Sequence, residues 1–190
     1  MIDLAVAHIA NQLNQYLKRR FSINEDVVIA SNLVEQDGSL SPDITNKLVI
    51  FLVNIEKENI QKSPHINKIV TETGLITAAP IHLNIYLMFA AHFPGKNYLE
   101  ALKFISCTIE FFQKNPLFNH NNTPGLDSRI DKLSLDIENI SIQDLSHMWG
   151  IFSGKYLPSV FYKMRMLTIA SEEIKEQVSI IKEPNIVLDN

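Results

Sequence analysis

The sequence contains one cysteine and six glycines in 190 residues, and each shortage removes a class of protein. A single cysteine, Cys107, provides neither an internal disulfide nor a cysteine-based zinc site. Because Cys107 falls inside a helical apolar pattern, we expect a buried small hydrophobic side chain and not a nucleophile. The glycines form no phosphate-binding loop, since Gly150 and Gly154 follow a predicted helix instead of leading into one.

Long apolar runs and a strong net charge are also missing. The most apolar stretch, 75–91, is interrupted by Pro80, His82 and Asn84, so it falls short of the about 18 apolar residues of a membrane-spanning helix. The net charge of -4 has the wrong sign for a protein whose main partner is nucleic acid. The first residues carry neither a basic region nor a cleavage pattern, so we expect a chain made in the cytoplasm.

Motifs for catalysis and metal binding are absent as well. The six histidines show neither helical pairing nor nearby carboxylates at the spacing of zinc ligands, which argues against a metal site. They are His8, His65, His82, His92, His120 and His147. The sequence has no G-x-S-x-G motif for a serine nucleophile. We therefore predict that the protein is not an enzyme, and we assign no catalytic, cofactor-binding or metal-binding residue and no cofactor.

Two helices are predicted before residue 115. In the first, Asn14 and its polar neighbours are expected to face away from an apolar stripe. That stripe is Val6, Ile9, Leu13 and Leu17. In the second, Asn97 is placed to cap a helix with a wide apolar surface, which implies burial against a sheet. Its central stripe is Tyr98, Leu102, Ile105, Ile109 and Phe112, and Ala101, Phe104, Thr108 and Phe111 widen it.

A third helix and a long strand are predicted between 140 and 167. Ser141 is the expected N-cap and Asp144 adds negative charge to the first turn. Leu145, Met148 and Trp149 then share one face, and we expect Trp149 to be buried against the sheet instead of serving as a binding anchor. After Pro158 the residues alternate, with apolar side chains on one face and a mixture of apolar and basic side chains on the other.

Further strands are predicted at 27–33, 47–55, 81–89 and 133–137, with a possible strand at 177–181. The segment 47–55 is almost continuously apolar, so we expect it at the centre of the sheet with both faces covered. Since no change in composition divides the chain, the pattern predicts a single α+β domain. Three segments have no evident place in its core, namely the loops 56–73 and 115–128 and the apolar tail. Such segments are candidates for contacts with other subunits.

Three stretches carry a resemblance to a known family: 79–113, 133–167 and the opening helix that ends in YLKRRF. The most specific parts are the strand, Phe-Pro turn and helix of 89–112, and the spacing of Trp149, Tyr156, Leu157, Pro158 and Ser159. Together they resemble the N-terminal domain of the tube-terminator, or cap, proteins of contractile, phage-tail-like injection systems.

The resemblance implies a structural assembly protein that forms a ring, expected to be a hexamer, on the distal end of the inner tube. The ring terminates tube polymerisation and docks the sheath, so the implied partners are other copies of the chain, the inner tube protein and the sheath protein. The chain would be incorporated into an injection particle. The implied fold is a mixed, mostly antiparallel sheet with helices packed on it, similar to phage tail-terminator proteins.

The resemblance also suggests a division of the chain. Residues 1–170 would form the tail-terminator-like domain, and residues 171–190 would form a C-terminal tail, a candidate for strand addition to a neighbouring subunit. Some family members continue into an additional C-terminal domain, whereas this sequence ends at Asn190, so contacts made by that domain are not transferred.

Two other functions remain open from the residues alone. One is a peptide-binding adaptor that acts by strand addition, which predicts a stable monomer with a free sheet edge. The other is a small acid/base hydrolase that uses Asp136, Glu138 and a histidine. The two carboxylates lie on one face of a strand about 7 Å apart. No nearby motif supplies the burial that would shift their pKa values, so we favour a solvated or interface face.

Overall fold

A six-stranded sheet forms the centre of the fold. The structure is a computed structural model that describes residues 1–35, 37–58, 68–70, 75–78, 82–152, 155–168 and 176–177. The helices are α1 (Ile2–Phe21), α2 (Tyr98–Lys114) and α3 (Ile142–Ile151). The strands are β1 (Val28–Ala30), β2 (Lys47–Lys57), β3 (Lys68–Val70), β4 (Leu75–Ala78), β5 (His82–His92), β6 (Leu117–Asn119), β7 (Ile130–Ile137), β8 (Ser159–Thr168) and β9 (Glu176–Gln177).

The strand order in the main sheet is β1-β2-β5-β8-β7-β6. β1 runs parallel to β2, and the other neighbours are antiparallel. A second, small antiparallel sheet has the order β3-β4-β9. The architecture confirms the predicted α+β class with a mixed, mostly antiparallel sheet and helices packed on it.

The main core lies between the sheet and the helices α1 and α2. The predicted stripe of α1 is confirmed, since Ile9, Leu13 and Leu17 are fully buried in this core. Phe89 of β5 packs edge-on against Phe112 of α2 at 5.3 Å between ring centroids. Each large apolar side chain removed from water in this way contributes about 1.5–3 kcal/mol. This layer therefore provides most of the hydrophobic stabilisation of the domain.

A smaller core lies on the opposite face of the sheet, under α3. Trp149 is buried there together with Met88 of β5 and Phe51 of β2, which confirms the predicted burial of the tryptophan. The predicted N-cap is also confirmed, because the Ser141 hydroxyl accepts a hydrogen bond of 3.0 Å from the backbone N–H of Asp144. A single capped helix thus covers only one end of this face.

The position of β2 differs from the prediction. It is the second strand from one edge instead of a central strand, with β5 and β8 nearer the middle. Only its first half is covered on both faces, which accounts for the continuous apolar run, while Leu52 and Ile55 farther along are exposed. The strand predicted at 27–33 is limited to Val28–Ala30.

The loop predicted at 56–73 is also revised. β2 continues through Lys57, and Lys68–Val70 forms β3. Residues 59–67 and 71–74 lie outside the described residues, as do His65, Ile81 and Gly154. The apolar tail residues Ile186, Val187 and Leu188 lie outside them too, so the prediction for the tail is not addressed by the fold.

The buried face of α2 is rotated from the predicted stripe. Tyr98 is 55% exposed and Leu102 is also exposed, whereas the residues expected only to widen the stripe lie against the sheet. The residues buried are Ala101, Phe104, Cys107, Thr108, Phe111 and Phe112. Small side chains such as Ala101 allow the helix to approach the sheet closely. The buried Thr108 hydroxyl donates a hydrogen bond of 2.8 Å to the Phe104 carbonyl, so its polar group has a partner. The predicted burial of Cys107 is confirmed.

The loop predicted at 115–128 is part of the core, so the expectation that it has no place there is wrong. Phe118 and Leu126 are buried in the main core. The Asn119 side chain accepts hydrogen bonds from the backbone N–H groups of Asn121 and Asn122, which holds the turn together. Asparagine-rich composition therefore marks a tight turn here and not a free segment.

Candidate assembly surfaces

One edge of the main sheet is closed by a side chain. β1 is the edge strand, and the Asn14 side chain of α1 reaches its outer flank. The Asn14 amide oxygen accepts from the N–H groups of Val27 and Val28, both at 2.9 Å, and its amide nitrogen donates to the Val28 carbonyl at 2.7 Å. Asn14 therefore takes the place of a neighbouring strand, contrary to the prediction that it faces away.

The closed part of this edge is short. β1 pairs with Leu48, Val49 and Ile50 of β2, and the Ser31 N–H donates to the Ile50 carbonyl at 3.2 Å. Beyond Ile50, no strand among the described residues pairs with the outer flank of β2. The register shifts between Leu52 and Asn54, which marks a bulge. Within the described ranges, the stretch 52–57 therefore has no strand paired to its outer flank, and we refer to it as the β2 edge.

Backbone groups face outward along the β2 edge. The Glu58 N–H donates to the His82 carbonyl at 3.0 Å, so Glu58 is hydrogen-bonded toward β5. Since successive residues of a strand alternate in direction, the backbone groups of Ile55 and Lys57 face the outer flank. The Ile50 carbonyl also faces the outer flank, where it accepts from Ser31, so the backbone groups of Leu52, two residues later, face that flank too. Such an unpaired row accepts an added strand.

A groove of about 640 Å³ lies where the β2 edge begins, and the residues of β2 that line it are Ile50, Phe51 and Leu52. On one side it is lined by Ile2 and Val6 of α1, which pack against the main core. On the other side it is lined by Leu33 and Phe152, which belong to the smaller core. Leu52, 44% exposed, lies between them. The groove therefore has apolar side chains on both sides of Leu52, and the polar residues Asp3, Ser31 and Asn32 also line it.

A second apolar surface covers the outside of α3 and the segment before β8. Ile142 and Ile151 at the two ends of α3 are 86% and 77% exposed. Between α3 and Tyr156 a groove of about 440 Å³ is open, and the Tyr156 ring contacts the Trp149 ring at 5.5 Å. The buried Trp149 indole nitrogen has no hydrogen-bond partner in the part of the chain that the structure describes. Exposed apolar groups of this kind are typical of contact surfaces.

A third exposed apolar group lies at the start of α2. Leu99 is 76% exposed, and Tyr98 and Leu102 stand beside it in the first turns. Of these three, Tyr98 and Leu102 were predicted to be buried, and the structure exposes them. The three surfaces lie on different elements, as expected of a subunit with more than one neighbour.

Asp136 and Glu138 lie on the part of the sheet face that α3 leaves open. The Glu138 carboxylate forms an ion pair of 2.9 Å with Lys163, and this hydrogen bond raises the pKa of the Lys163 ammonium. The Asp136 carboxylate lies 3.5 Å from Arg165, and both of these side chains are about half exposed. Since both acids are paired with cations on an open face, the arrangement gives no support to the hydrolase alternative.

The histidines are dispersed over the molecule. His8 is buried in α1 beside Phe118, at 6.1 Å between ring centroids, and burial lowers the pKa of its imidazole. His120 is held by a 2.9 Å hydrogen bond between Nε2 and the Ile130 carbonyl, and His147 is exposed. Among the described residues, no three His, Cys, Asp or Glu side chains are grouped closely enough to hold a metal ion.

Within the described ranges, no helix combines the length and the hydropathy needed to cross a bilayer.

Neither the role of Asn14 nor the β2 edge was predicted from the sequence. A signal for Asn14 was available, because it follows the buried Ala10 by four residues and precedes the buried Leu17 by three. A polar residue spaced three or four positions from buried residues of a helix lies at the border of the core. From there its side chain can reach the backbone of a neighbouring strand. The open edge had no such signal, since it depends on the length of β1.

Comparison with known proteins identifies solved structures that have a similar fold. A search of curated protein sequences gave no significant match. Among solved structures, the chain is similar over 100% of its length to the sheath/tube terminator of the PVC extracellular contractile injection system in its extended state, with a TM-score of 0.68 and 12% identity. It is similar over 98% of its length to the tube-terminating cap of the anti-feeding prophage, with a TM-score of 0.60 and 13% identity.

The chain corresponds to only part of these proteins, since it covers 64% of the first and 61% of the second. A sequence profile of the Pvc16 N-terminal domain matches residues 5–183, which is nearly the whole chain. The resemblance drawn from the strand, turn and helix of 89–112 is thereby confirmed. The chain belongs to the family of Pvc16 N-terminal domains.

Proposed function

We propose that this chain is a structural subunit of the cap that terminates the inner tube of a contractile injection system. The observation that carries the proposal is the similarity of the fold, over the whole chain, to two proteins described as tube terminators. Membership of the Pvc16 N-terminal domain family supports the same role. In this proposal the function is one of assembly and not of catalysis.

In this proposal, copies of the chain close into a ring, which we expect to contain six subunits. A closed ring needs two different contact surfaces on each subunit. The β2 edge and the exposed face of α3 lie on different elements and meet this need. We infer that the ring binds the end of the tube and docks the sheath, and that the chain is made in the cytoplasm before incorporation into the particle.

The test is to assemble the inner tube protein with and without this chain. We expect tubes of uncontrolled length alone, and short tubes of uniform length when the chain is added during assembly. Electron microscopy gives the length distribution, and native mass spectrometry of the isolated chain gives the number of subunits. An unchanged length distribution, together with a chain that stays monomeric at every concentration, would contradict the proposal.

A further inference from the structure

We propose that the exposed flank of α2 on one copy packs into the groove of α3 on the next copy. This inference rests on the ring of the proposed function and assigns the contact between subunits to named residues. The flank, which we call the α2 ridge, consists of Tyr98, Leu99, Leu102, Ile105, Ser106 and Ile109. The α3 groove is the groove of about 440 Å³ lined by Ile142, Leu145, Ser146, Trp149, Gly150 and Tyr156.

The α2 ridge exposes apolar side chains and carries no charge over about three turns. Leu99 in its first turn is 76% exposed. The charged residues of α2 lie toward α1 instead, where Glu110 forms an ion pair of 3.1 Å with Arg20. Lys103 likewise lies over the Phe21 ring at the end of α1, 5.1 Å from its centre. An exposed helix flank without charge is typical of the centre of a protein interface, where charged residues are depleted.

The α3 groove is uncharged as well, and it lies between exposed apolar side chains. Ile142 at one end of α3 is 86% exposed, and Tyr156 beside the helix is 58% exposed. Ser146 and Gly150, which also line the groove, are small and lie one helical turn apart. The side chains of a second helix can enter the space that such small residues leave on a helix surface.

Nothing in the described part of the subunit requires a glycine at position 150. Gly150 lies within α3 and is not among the glycines with positive φ, so its backbone conformation is open to other residues. A Cβ added to it would meet no atom within 4 Å, so the packing does not require glycine either. Glycine nevertheless destabilises a helix relative to alanine. The missing side chain therefore leaves room on the outside of α3 that a neighbouring molecule can fill.

The two surfaces are placed as a ring requires. They lie on opposite faces of the sheet, since α2 packs on the main core and α3 on the smaller core. A contact between two different surfaces continues from copy to copy and closes at a suitable angle. The lengths also agree: Leu99 and Ile109 are about 15 Å apart along the axis of α2, at 1.5 Å per residue. Ile142 and Ile151 at the ends of α3 are about 14 Å apart by the same measure.

The β2 edge is a poorer counterpart for the α3 groove. Its unpaired backbone groups need backbone partners, which a helix does not offer because its own groups are bonded internally. It also contains Glu56 and Lys57, and an unpaired charge is costly to bury against an uncharged groove. The α2 ridge meets neither difficulty.

The direct test places opposite charges across the contact. Leu99→Glu changes an exposed position, so the subunit should fold normally while the concentration for half-assembly rises by at least about tenfold. Two further variants add Ile142→Lys or Ile151→Lys to Leu99→Glu, which puts a cation at either end of the α3 groove. We expect one of them to restore half-assembly to within about threefold of the unaltered chain. Native mass spectrometry over a concentration series gives these values, and recovery by a lysine is the deciding result.

Leu52→Glu is the matched control for Leu99→Glu, because Leu52 is an exposed leucine of the β2 edge. We expect it to leave the concentration for half-assembly unchanged. If Leu52→Glu prevents assembly and Leu99→Glu does not, the contact belongs to the β2 edge and the inference is wrong.

A second test fills the groove. Gly150→Leu places a side chain where the subunit itself has no atom, so urea denaturation should show a subunit at least as stable as the unaltered one. The concentration for half-assembly should rise by at least about tenfold. Gly125→Leu adds the same side chain at another glycine with open space around it, and it should assemble like the unaltered chain.

The outcomes separate this inference from the proposed function. Rings that form equally well in Leu99→Glu and Gly150→Leu overturn the inference and leave the cap intact. Loss of assembly in Leu99→Glu that neither lysine restores overturns it as well, because the α2 ridge then contacts a surface other than the α3 groove. An unaltered chain that stays monomeric at every concentration overturns the ring and the inference together.

Discussion

Asn14 shows how one side chain decides where a sheet ends. Its amide is bonded to three backbone groups of Val27 and Val28, so the outer flank of β1 is satisfied without another strand. Its exposed neighbour Asn11 on the same helix has the same chemistry but lies in water. The two asparagines therefore provide a matched pair for mutation.

We predict that Asn14→Ala lowers the free energy of unfolding by about 2–3 kcal/mol, because it leaves buried backbone groups without partners. Urea denaturation followed by circular dichroism measures the change. Asn11→Ala should alter the same quantity by less than about 0.5 kcal/mol. Equal effects of the two substitutions would show that the contacts of Asn14 do not stabilise the fold.

His8 makes the stability of the domain depend on pH. Burial lowers the pKa of its imidazole below 6.5, and a hydrogen bond to the backbone of Gly125 offsets only part of this. The unfolded chain therefore takes up a proton at a higher pH than the folded chain does. The contribution of neutral His8 to the free energy of unfolding is therefore complete above pH 6.5. It is lost as the pH falls from 6.5 through the lowered pKa of His8 in the folded state.

We predict that the free energy of unfolding decreases between pH 7.5 and pH 5.5, and that His8→Gln reduces this decrease. Urea denaturation at the two pH values gives the comparison. His147→Gln, which alters an exposed histidine of α3, should keep the dependence of the unaltered chain. If His8→Gln leaves the pH dependence unchanged, another group is responsible for it.

Among the elements, α3 is short and relies on its cap. The Ser141 hydroxyl accepts a hydrogen bond from the Asp144 backbone N–H and donates one of 2.6 Å to the Asp144 carboxylate. Trp149 is the single tryptophan of the chain, so its fluorescence reports on this helix and the smaller core. Trp149 fluorescence therefore distinguishes local loosening of α3 from unfolding of the main core.

We predict that Ser141→Ala destabilises the domain by about 1 kcal/mol, the usual contribution of an N-cap hydroxyl. The midpoint of urea unfolding, followed by Trp149 fluorescence, should fall accordingly. Ser146→Ala changes an exposed serine of the same helix and should have little effect. A cap without energetic importance would give the same midpoint for both variants.

Periodicity predicted the existence of the helices and main strands, but α2 shows its limit. Its apolar residues cover so much of the surface that several faces fit the pattern, and the face that is buried includes Ala101 and Thr108. Likewise, the composition of 115–128 predicts a loop outside the core, whereas the burial of Phe118 and Leu126 depends on tertiary packing. The local sequence pattern therefore predicts whether a segment is a helix, a strand or a loop better than it predicts which of its side chains are buried.

At the scale of the whole molecule, exposed apolar residues separate folding from assembly. Ile142 and Ile151 make large exposed surfaces on α3, so they contribute little to the stability of one subunit. The sequence predicted a face of α3 for burial against the sheet, and it predicted the family. The contact surfaces were not predictable, because they depend on which side chains remain outside after packing is complete.

We predict that replacing both Ile142 and Ile151 with Ser changes the free energy of unfolding by less than about 0.5 kcal/mol, while it weakens ring formation by about tenfold. Denaturation gives the first quantity and native mass spectrometry the second. Gln143→Ser, an exposed polar change on the same helix, should alter neither. Normal ring formation by the double variant would exclude α3 as a contact surface.

The closure of β1 by Asn14 has a consequence for fibril formation. Cross-β fibrils grow when a segment of six or seven residues stacks in register on identical copies. Asn14 occupies the flank of β1, and the bulge at Leu52 and Asn54 interrupts the rest of the edge. Within the described ranges, this edge therefore offers no regular stretch of fibril-forming length that could template amyloid.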